Sequence, residues 1–412
     1  MLRRNFIGSL SSLPFVNFLT KIKANENDLK KANKSCVLIW MGGGPPTIDM
    51  WDLKPNTEYS GKFSPIKTSI PEVEICELLP KIASSFEDYS IIRSMNTREA
   101  DHMRGSYYLH TGFVPNPSVI HPSAGSVLSF ESKVRDLDIP PFVSINPTAF
   151  KAGYLGVKYD PFVVLDNGEI PNIDKNLVNE NRIKFLNEVE ENFISSKRGI
   201  MPKNHKEIYS NAIKLISSDQ KNVFNIDQPS YKFNLKKEDE ITKQSYGNTS
   251  LGRSLLITRR LIQVGVPFIE VNYGGWDLHS DIFNSLERKL PEFDQSLTTF
   301  VEDLKNLGML ENVTIVCMGE FGRTPRINQD IGRDHWASSW SALVAGGKFK
   351  NGKAIGKTSK DGLQIESESY NPGHIWTSVA KSMGINEDVV HTSKNGRPMK
   401  IFNGEGFIKD LF

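Results

Sequence analysis

Acidic and histidine side chains recur in a few short motifs of this sequence, and their spacing suits metal binding. Asp277 and His279 lie two positions apart, so in an extended segment their side chains point to the same face. A carboxylate beside an imidazole is a donor pair that suits a divalent metal such as zinc. Asp334 and His335 form a second such unit in a glycine-flanked turn, and Glu320 follows an apolar run. Together these motifs predict a polar site with a metal ion as its expected occupant.

Other roles remain open for these residues. Asp277 could cap a helix that begins near Ser280, with His279 merely packed beside it. Arg323 follows Glu320 closely, and its guanidinium could orient the acids or bind an anionic substrate. An internal salt bridge between Arg323 and Glu320 is the equally weighted alternative.

A further polar group opens a predicted helix. Residues 97–104 contain acids, His102 and Arg104. Helix N-termini carry free N–H groups, so this is a favourable place for an anion or a nucleophile. We expect His102 to be reactive or to bind a ligand, whereas His110, further along the same helix, is expected to be packed.

The polar motifs begin where apolar, β-rich runs end. Short continuous apolar runs separated by helical segments are typical of buried parallel strands. In open α/β sheets ligands bind outside the carboxyl ends of the strands, so we expect the polar residues to meet there. The four runs cover residues 36–41, 89–92, 266–272 and 313–318.

The segments between these strands are predicted to be helices. Residues 250–264 have apolar positions at helical spacing and end at Gly265, a favourable C-cap. Residues 283–307 continue as one or two amphipathic helices. Residues 167–245 are rich in Asn, Lys and Glu, and we interpret them as a helical surface insertion in a single domain spanning 35–412.

Composition excludes several classes of protein. The chain has 412 residues, 38% of them hydrophobic, with 50 Lys and Arg against 48 Asp and Glu. The near-zero net charge argues against a nucleic-acid partner held by a basic face. Three cysteines are too few for a disulfide scaffold, and no apolar run reaches the roughly 18 residues that span a bilayer.

The first residues read as a targeting signal. Residues 1–25 run from a charged start with Arg3 and Arg4 through a moderately apolar stretch to a polar end, which resembles a bacterial twin-arginine export signal. Residues 26–34 look like a linker. We therefore expect a periplasmic or otherwise exported protein, and export after folding mildly favours a metalloprotein.

The motifs together resemble a family of exported bacterial proteins of unknown function, abundant in planctomycetes and related to sulfatases and alkaline phosphatases. The resemblance covers nearly the whole chain after the signal. The motifs that carry it are residues 40–45 with Asp49, 92–95, 101–104, 109–112, 274–279, 318–325 and 332–336.

This resemblance implies an alkaline-phosphatase-like α/β fold, with a mixed, mostly parallel sheet between helix layers. It also implies a hydrolase of phosphate or sulfate esters, such as esters on a carbohydrate, with zinc, calcium, magnesium or manganese as its metal. Arg104 and Arg323 would hold the anion, and His102 would act on the attacking or leaving oxygen. The implied metal ligands are Asp49, Asp277, His279, Glu320 and His335.

Two departures weigh against the usual sulfatase mechanism. The position of the Cys or Ser nucleophile aligns with Ala100, and Phe321 stands where a metal-binding His would follow Glu320. Either another nucleophile acts, such as His102, Thr97 or a metal-bound water, or hydrolysis has been lost. The alternative is a non-catalytic binding or assembly protein of the cell envelope on the same scaffold.

Overall fold

The computed structural model describes residues 33–132, 137–171 and 217–412, together with scattered positions between 172 and 216. The proposed signal over 1–25 lies outside these residues, as do most of the linker and much of the predicted insertion. Those assignments therefore remain predictions.

One sheet dominates the described residues. Its eight strands lie in the order β12-β4-β11-β8-β1-β7-β5-β6. Strand β11 pairs antiparallel with β4 and β8, and the other neighbours in the sheet run parallel. The strands of the described residues are β1 Ser35–Trp40, β2 Pro65–Lys67, β3 Glu74–Cys76, β4 Tyr89–Met95, β5 Phe142–Ile145, β6 Phe162–Val164, β7 Phe268–Asn272, β8 Val313–Met318, β9 Gly322–Arg323, β10 His335–Trp336, β11 Trp340–Gly346, β12 Lys353–Ile355, β13 Val390–Thr392 and β14 Pro398–Lys400.

The four apolar runs predicted as strands form β1, β4, β7 and β8. Strand β1 lies in the middle, where Trp40 is in register with Asn272 of β7 and with Met318 of β8. The carboxyl ends of these three strands are therefore side by side. The loops that follow them leave the sheet at one edge, as the polar motifs predict.

Helices cover both faces of the sheet, which confirms the predicted α/β fold. Val37 and Ile39 of β1 face a core shared with α6 and α7, whereas Cys36 and Leu38 face a core shared with α3, α4 and α8. The α-helices with defined bounds among the described residues are α1 Thr47–Met50, α2 Pro80–Ser84, α3 His102–Thr111, α4 Ala124–Glu131, α5 Glu240–Ser245, α6 Ser250–Val264, α7 Ile282–Asn306 and α8 Pro372–Met383.

Two helices test the sequence reading closely. Helix α6 has the predicted bounds, and Gly265 caps it in the left-handed conformation with φ of 94°. Helix α7 is one continuous helix that runs past Pro291. None of the described helices has the length and apolar content needed to cross a bilayer.

Candidate metal centre

The glycine loop after β1 ties together the loops that follow β7 and β8. The backbone N–H of Gly43 donates to both carboxylate oxygens of Glu320, at 3.0 and 3.2 Å, and its carbonyl accepts from Arg323. Gly43 has φ of 112°, and a Cβ there would lie 2.4 Å from the backbone nitrogen of Asp277. Glycine is therefore required where these two loops pass each other.

Three imidazoles and one carboxylate meet at this edge of the sheet. His102 is the first residue of α3, Asp277 and His279 lie in the loop after β7, and His335 begins β10. The Nε2 atoms of His102 and His335 each lie 3.3 Å from a carboxylate oxygen of Asp277. The Nε2 atom of His279 lies 3.0 Å from Asp277 Oδ1 and 3.0 Å from His335 Nε2. The sequence singled out all four residues, His102 as a group acting on the substrate oxygen and the other three as metal ligands, and the structure brings them together.

The second nitrogen of each imidazole faces an oxygen acceptor. An imidazole that donates its Nδ1 proton keeps a lone pair on Nε2, the form that binds metals. Metal-binding histidines in proteins are typically held in this way by a carboxylate or a backbone carbonyl. The Nδ1 contacts are His102 with Glu320 Oε1 at 2.5 Å, His279 with Asp334 Oδ1 at 2.8 Å and His335 with the carbonyl oxygen of Ala100 at 2.8 Å.

The arrangement of lone pairs fits a cation. The Nε2 atoms of His279 and His335 lie 3.0 Å apart, so a proton or a metal ion must separate two lone pairs there, and Nη1 of Arg323 lies 3.3 Å from the same His279 nitrogen. His102 Nε2 is buried and has no hydrogen-bond partner among the described residues. Donor atoms of His102, Asp277 and His335 lie within 4.8 Å of one another. Three imidazoles and one carboxylate suit zinc or another first-row transition metal better than calcium or magnesium.

Arg323 keeps the carboxylate of Asp277 charged. Its side chain is fully buried, and its guanidinium donates to the carbonyls of Gly43 and Gly44 and to Asp277. Burial acts to raise the pKa of Asp277, but the hydrogen bond and positive charge of Arg323 outweigh it and lower that pKa to about 2. Arg323 therefore forms an internal salt bridge, and its partner is Asp277 rather than Glu320.

Asp277 and Asp334 have roles that the sequence left open. Helix α7 begins at Ile282, and Asp281 occupies its N-cap position, so Asp277 does not cap it. The hydrogen bond with His279 lowers the pKa of Asp334, which keeps this acceptor ionised. Of the pair at 334–335, His335 therefore points its Nε2 into the cluster, and Asp334 orients His279.

Two predicted metal ligands lie in different surroundings. Both oxygens of Asp49 accept hydrogen bonds of 2.8 Å from Arg333, and both side chains are buried. Asp49 thus anchors the segment that carries His335 and is not placed as a ligand. Glu320 contacts His102 Nδ1 and the N–H of Gly43, so it lies behind a ligand rather than among the donor atoms.

The structure places Arg104 away from the cluster and Phe321 against it. The side chain of Arg104 is half exposed and pairs with Glu99 at 2.7 Å, so the structure does not bring it to the cluster. Phe321 is fully buried, and its ring packs against those of His102 and His335, with centroids 5.0 and 4.6 Å apart. Phe321 forms an apolar wall beside the two imidazoles.

Several solved structures resemble this chain at low identity. The PsFucS1 sulfatase from Pseudoalteromonas sp. is 12% identical over 90% of this chain and 71% of its own, with a TM-score of 0.42. The lipoteichoic acid synthase LtaP from Listeria monocytogenes is 9% identical over 88% of this chain and 78% of its own, with a TM-score of 0.38. The alkaline phosphatase from the Antarctic bacterium TAB5 is 12% identical over 86% of this chain and 98% of its own, with a TM-score of 0.37.

The sequence itself matches a protein family. No curated protein matches the chain. The profile described as "Protein of unknown function (DUF1501)" matches residues 33–412, which is nearly everything after the proposed signal and linker. The predicted membership of a family of unknown function is thereby confirmed, and the chain belongs to the DUF1501 family.

Proposed function

We propose that this protein is a metal-dependent hydrolase of phosphate or sulfate esters. The observation that carries the proposal is the convergence of three imidazole Nε2 atoms on the carboxylate of Asp277, with every Nδ1 atom held by an acceptor. Such an arrangement, on partly exposed side chains, suits the binding of a cation. The proposed ligands are His102, Asp277, His279 and His335.

The surrounding residues prepare the ligands for binding. When bound, a divalent ion supplies Lewis-acid polarisation of an ester oxygen and a lowered pKa for a coordinated water. Glu320 and Asp334 orient the imidazoles of His102 and His279, and Arg323 holds Asp277 ionised. Because Phe321 fills the space beside two of the imidazoles, we propose one metal ion rather than two.

Water is the proposed nucleophile. Ala100 has no nucleophilic side chain, and Thr97 is only 4% exposed, so its hydroxyl does not reach a substrate. His102 is assigned here as a metal ligand through Nε2, and its Nδ1 contacts Glu320, so neither nitrogen is left to attack a substrate. In the proposed reaction water adds to the phosphorus or sulfur atom and loses a proton, the bond to the ester oxygen breaks, and the leaving alkoxide takes up a proton to become the alcohol.

Export and substrate class complete the proposal. The sequence of residues 1–25 supports export through the twin-arginine route to the periplasm or beyond. The substrate that we propose there is an anionic ester, for example on a carbohydrate.

A panel of aryl phosphate monoesters, phosphodiesters and sulfate esters tests the activity. Protein loaded with zinc or manganese is expected to hydrolyse at least one class, and His102→Ala and His335→Ala are expected to abolish turnover. Glu287→Gln, a change of an exposed carboxylate on α7, serves as the control and should leave the rate unchanged. Turnover that survives in both histidine variants would contradict the proposal.

The second candidate is a metal-containing envelope protein without hydrolytic activity. Ala100 in place of a nucleophile is the observation that favours it. Stoichiometric metal without turnover across the panel would support this candidate. A partner captured by the wild type and lost in His279→Ala and His335→Ala would then link the metal centre to binding.

A further inference from the structure

A cavity lined mainly by basic side chains lies apart from the proposed metal ligands. It has a volume of about 480 Å³, and it lies between the loop after α1 and the segments around β12. This is within the range of small-ligand pockets, roughly 300–1,000 Å³. The charged side chains that line it are Asp52, Lys54, Arg93, Lys357, Lys360 and Glu366.

Positive charge exceeds negative charge in this lining. Four of the six charged side chains are basic and two are acidic. Two ion pairs form inside the cavity, Lys54 with Asp52 at 2.9 Å and Lys357 with Glu366 at 2.9 Å. The lining therefore carries a net charge of +2, and Arg93 and Lys54 share the carboxylate of Asp52.

Arg93 is a largely buried member of this basic lining. It lies on β4, and its side chain is 19% exposed. Its Nε and Nη2 atoms donate to the backbone carbonyls of Trp51 and Glu74, and the carboxylate of Glu74 also acts on its charge from outside the lining. The carboxylate of Asp52 lies 3.7 Å from Arg93 Nε, but it is already bonded to Lys54. A largely buried guanidinium without a dedicated carboxylate is stabilised by a bound anion.

We infer that the basic cavity binds a tetrahedral oxyanion, sulfate or phosphate, either free or as a substituent of a larger ligand. The guanidinium of Arg93 would form the floor of the site, and the ammonium of Lys360, at the exposed rim, would close it. None of the proposed metal ligands lines the cavity. The inference therefore stands apart from the proposed hydrolysis.

Calorimetric titration of the full chain with sodium sulfate and sodium phosphate at low ionic strength tests this inference. We expect Lys360→Glu to weaken binding at least tenfold, because it reverses one of the positive charges of the lining. Lys394→Glu makes the same charge change at an exposed position between β13 and β14, and it should leave binding unchanged. Arg93→Gln is expected to weaken binding further, with folding checked by circular dichroism.

The same titration in His335→Ala separates this site from the metal centre. Binding that persists in His335→Ala and falls in Lys360→Glu supports the basic cavity, even if the hydrolase proposal fails. Equal affinities of Lys360→Glu and Lys394→Glu, or loss of binding in His335→Ala alone, would overturn the inference. A sulfated monosaccharide that binds more tightly than inorganic sulfate would assign the anion to a larger ligand, and equal binding would assign it to the free ion.

Discussion

The contact between Glu320 and His102 provides the sharpest test of how the metal centre is built. Glu320 is 2% exposed, and its Oε1 atom lies 2.5 Å from His102 Nδ1, a short contact between an imidazole and a buried carboxyl group. The N–H of Gly43 donates to the same carboxylate. We predict that Glu320→Gln weakens metal binding without abolishing it.

The expected magnitude follows from the two hydrogen bonds. In the Glu320→Gln variant an amide oxygen in the place of Oε1 can still accept from His102 and from Gly43, but the amide NH2 group in the place of Oε2 then faces the N–H of Gly43 at 3.2 Å, so two donors meet. Loss of an outer-shell carboxylate typically lowers metal affinity 10- to 100-fold, or about 1.4–2.7 kcal/mol. Since Glu320 is buried and carries both contacts, we expect a loss near 100-fold.

Competition with a zinc chelator of known affinity measures the change. Glu287→Gln, on the exposed surface of α7, is the matched control and should bind zinc like the wild type. A wild-type affinity in Glu320→Gln would refute the orienting role of this carboxylate. Complete loss of binding would instead make Glu320 a direct ligand, as the family resemblance implies.

Three further changes separate the roles of neighbouring residues. Asp334→Asn should lower zinc affinity about tenfold. This loss is smaller than the one expected for Glu320→Gln, because Asp334 is 57% exposed and water can replace its carboxylate. A loss in the chelator assay as large as that of Glu320→Gln would contradict this prediction. Asp49→Asn should lower the free energy of unfolding, measured in urea, by about 3–5 kcal/mol, because Arg333 would stay buried without its carboxylate partner. Loss of metal at an unchanged free energy of unfolding would instead make Asp49 a ligand. Gly43→Ala should lower zinc affinity more than tenfold, because the new Cβ would displace Asp277. Gly156→Ala is the control, since Gly156 also has a positive φ but has open space around it, and it should leave zinc affinity unchanged. Similar zinc affinities in the two variants would argue against the close contact between Gly43 and Asp277.

Much of the fold could be predicted from short apolar runs and helix endings. The runs at β1, β4, β7 and β8 were recognisable because parallel strands buried on both faces are continuously apolar. Their order in the sheet was not predictable, since β11 lies between β4 and β8 and runs antiparallel to both. Nothing in the local sequence of a strand specifies which neighbours it will pair with.

The candidate site, like the fold, could be predicted only in part from the sequence. Asp277 and His279 were recognisable because they are close in sequence and follow a strand. Residue type alone does not tell a ligand from the group that orients it, so Glu320 was assigned as a ligand although it contacts His102 Nδ1. Asp49 bonds to Arg333, a residue 284 positions away, and only the folded chain reveals such a pairing.

The backbone contributions were also outside the reach of sequence reasoning. The carbonyl of Ala100 accepts from His335 Nδ1, and the N–H of Gly43 donates to Glu320. Every residue except proline carries an N–H, and every residue carries a carbonyl, so residue identity gives no signal for these roles. The glycine at position 43 was the one hint, because a strand that ends in consecutive glycines often permits a close approach of backbones.

The central claim is that His102, Asp277, His279 and His335 bind one metal ion. Elemental analysis of the untagged protein, isolated from the compartment to which it is delivered, tests this most directly when the wild type is compared with His279→Ala and His335→Ala. The account predicts about one equivalent of a transition metal per chain in the wild type and its loss in both variants. A well-folded wild type without metal, or full metal content in both variants, would contradict it.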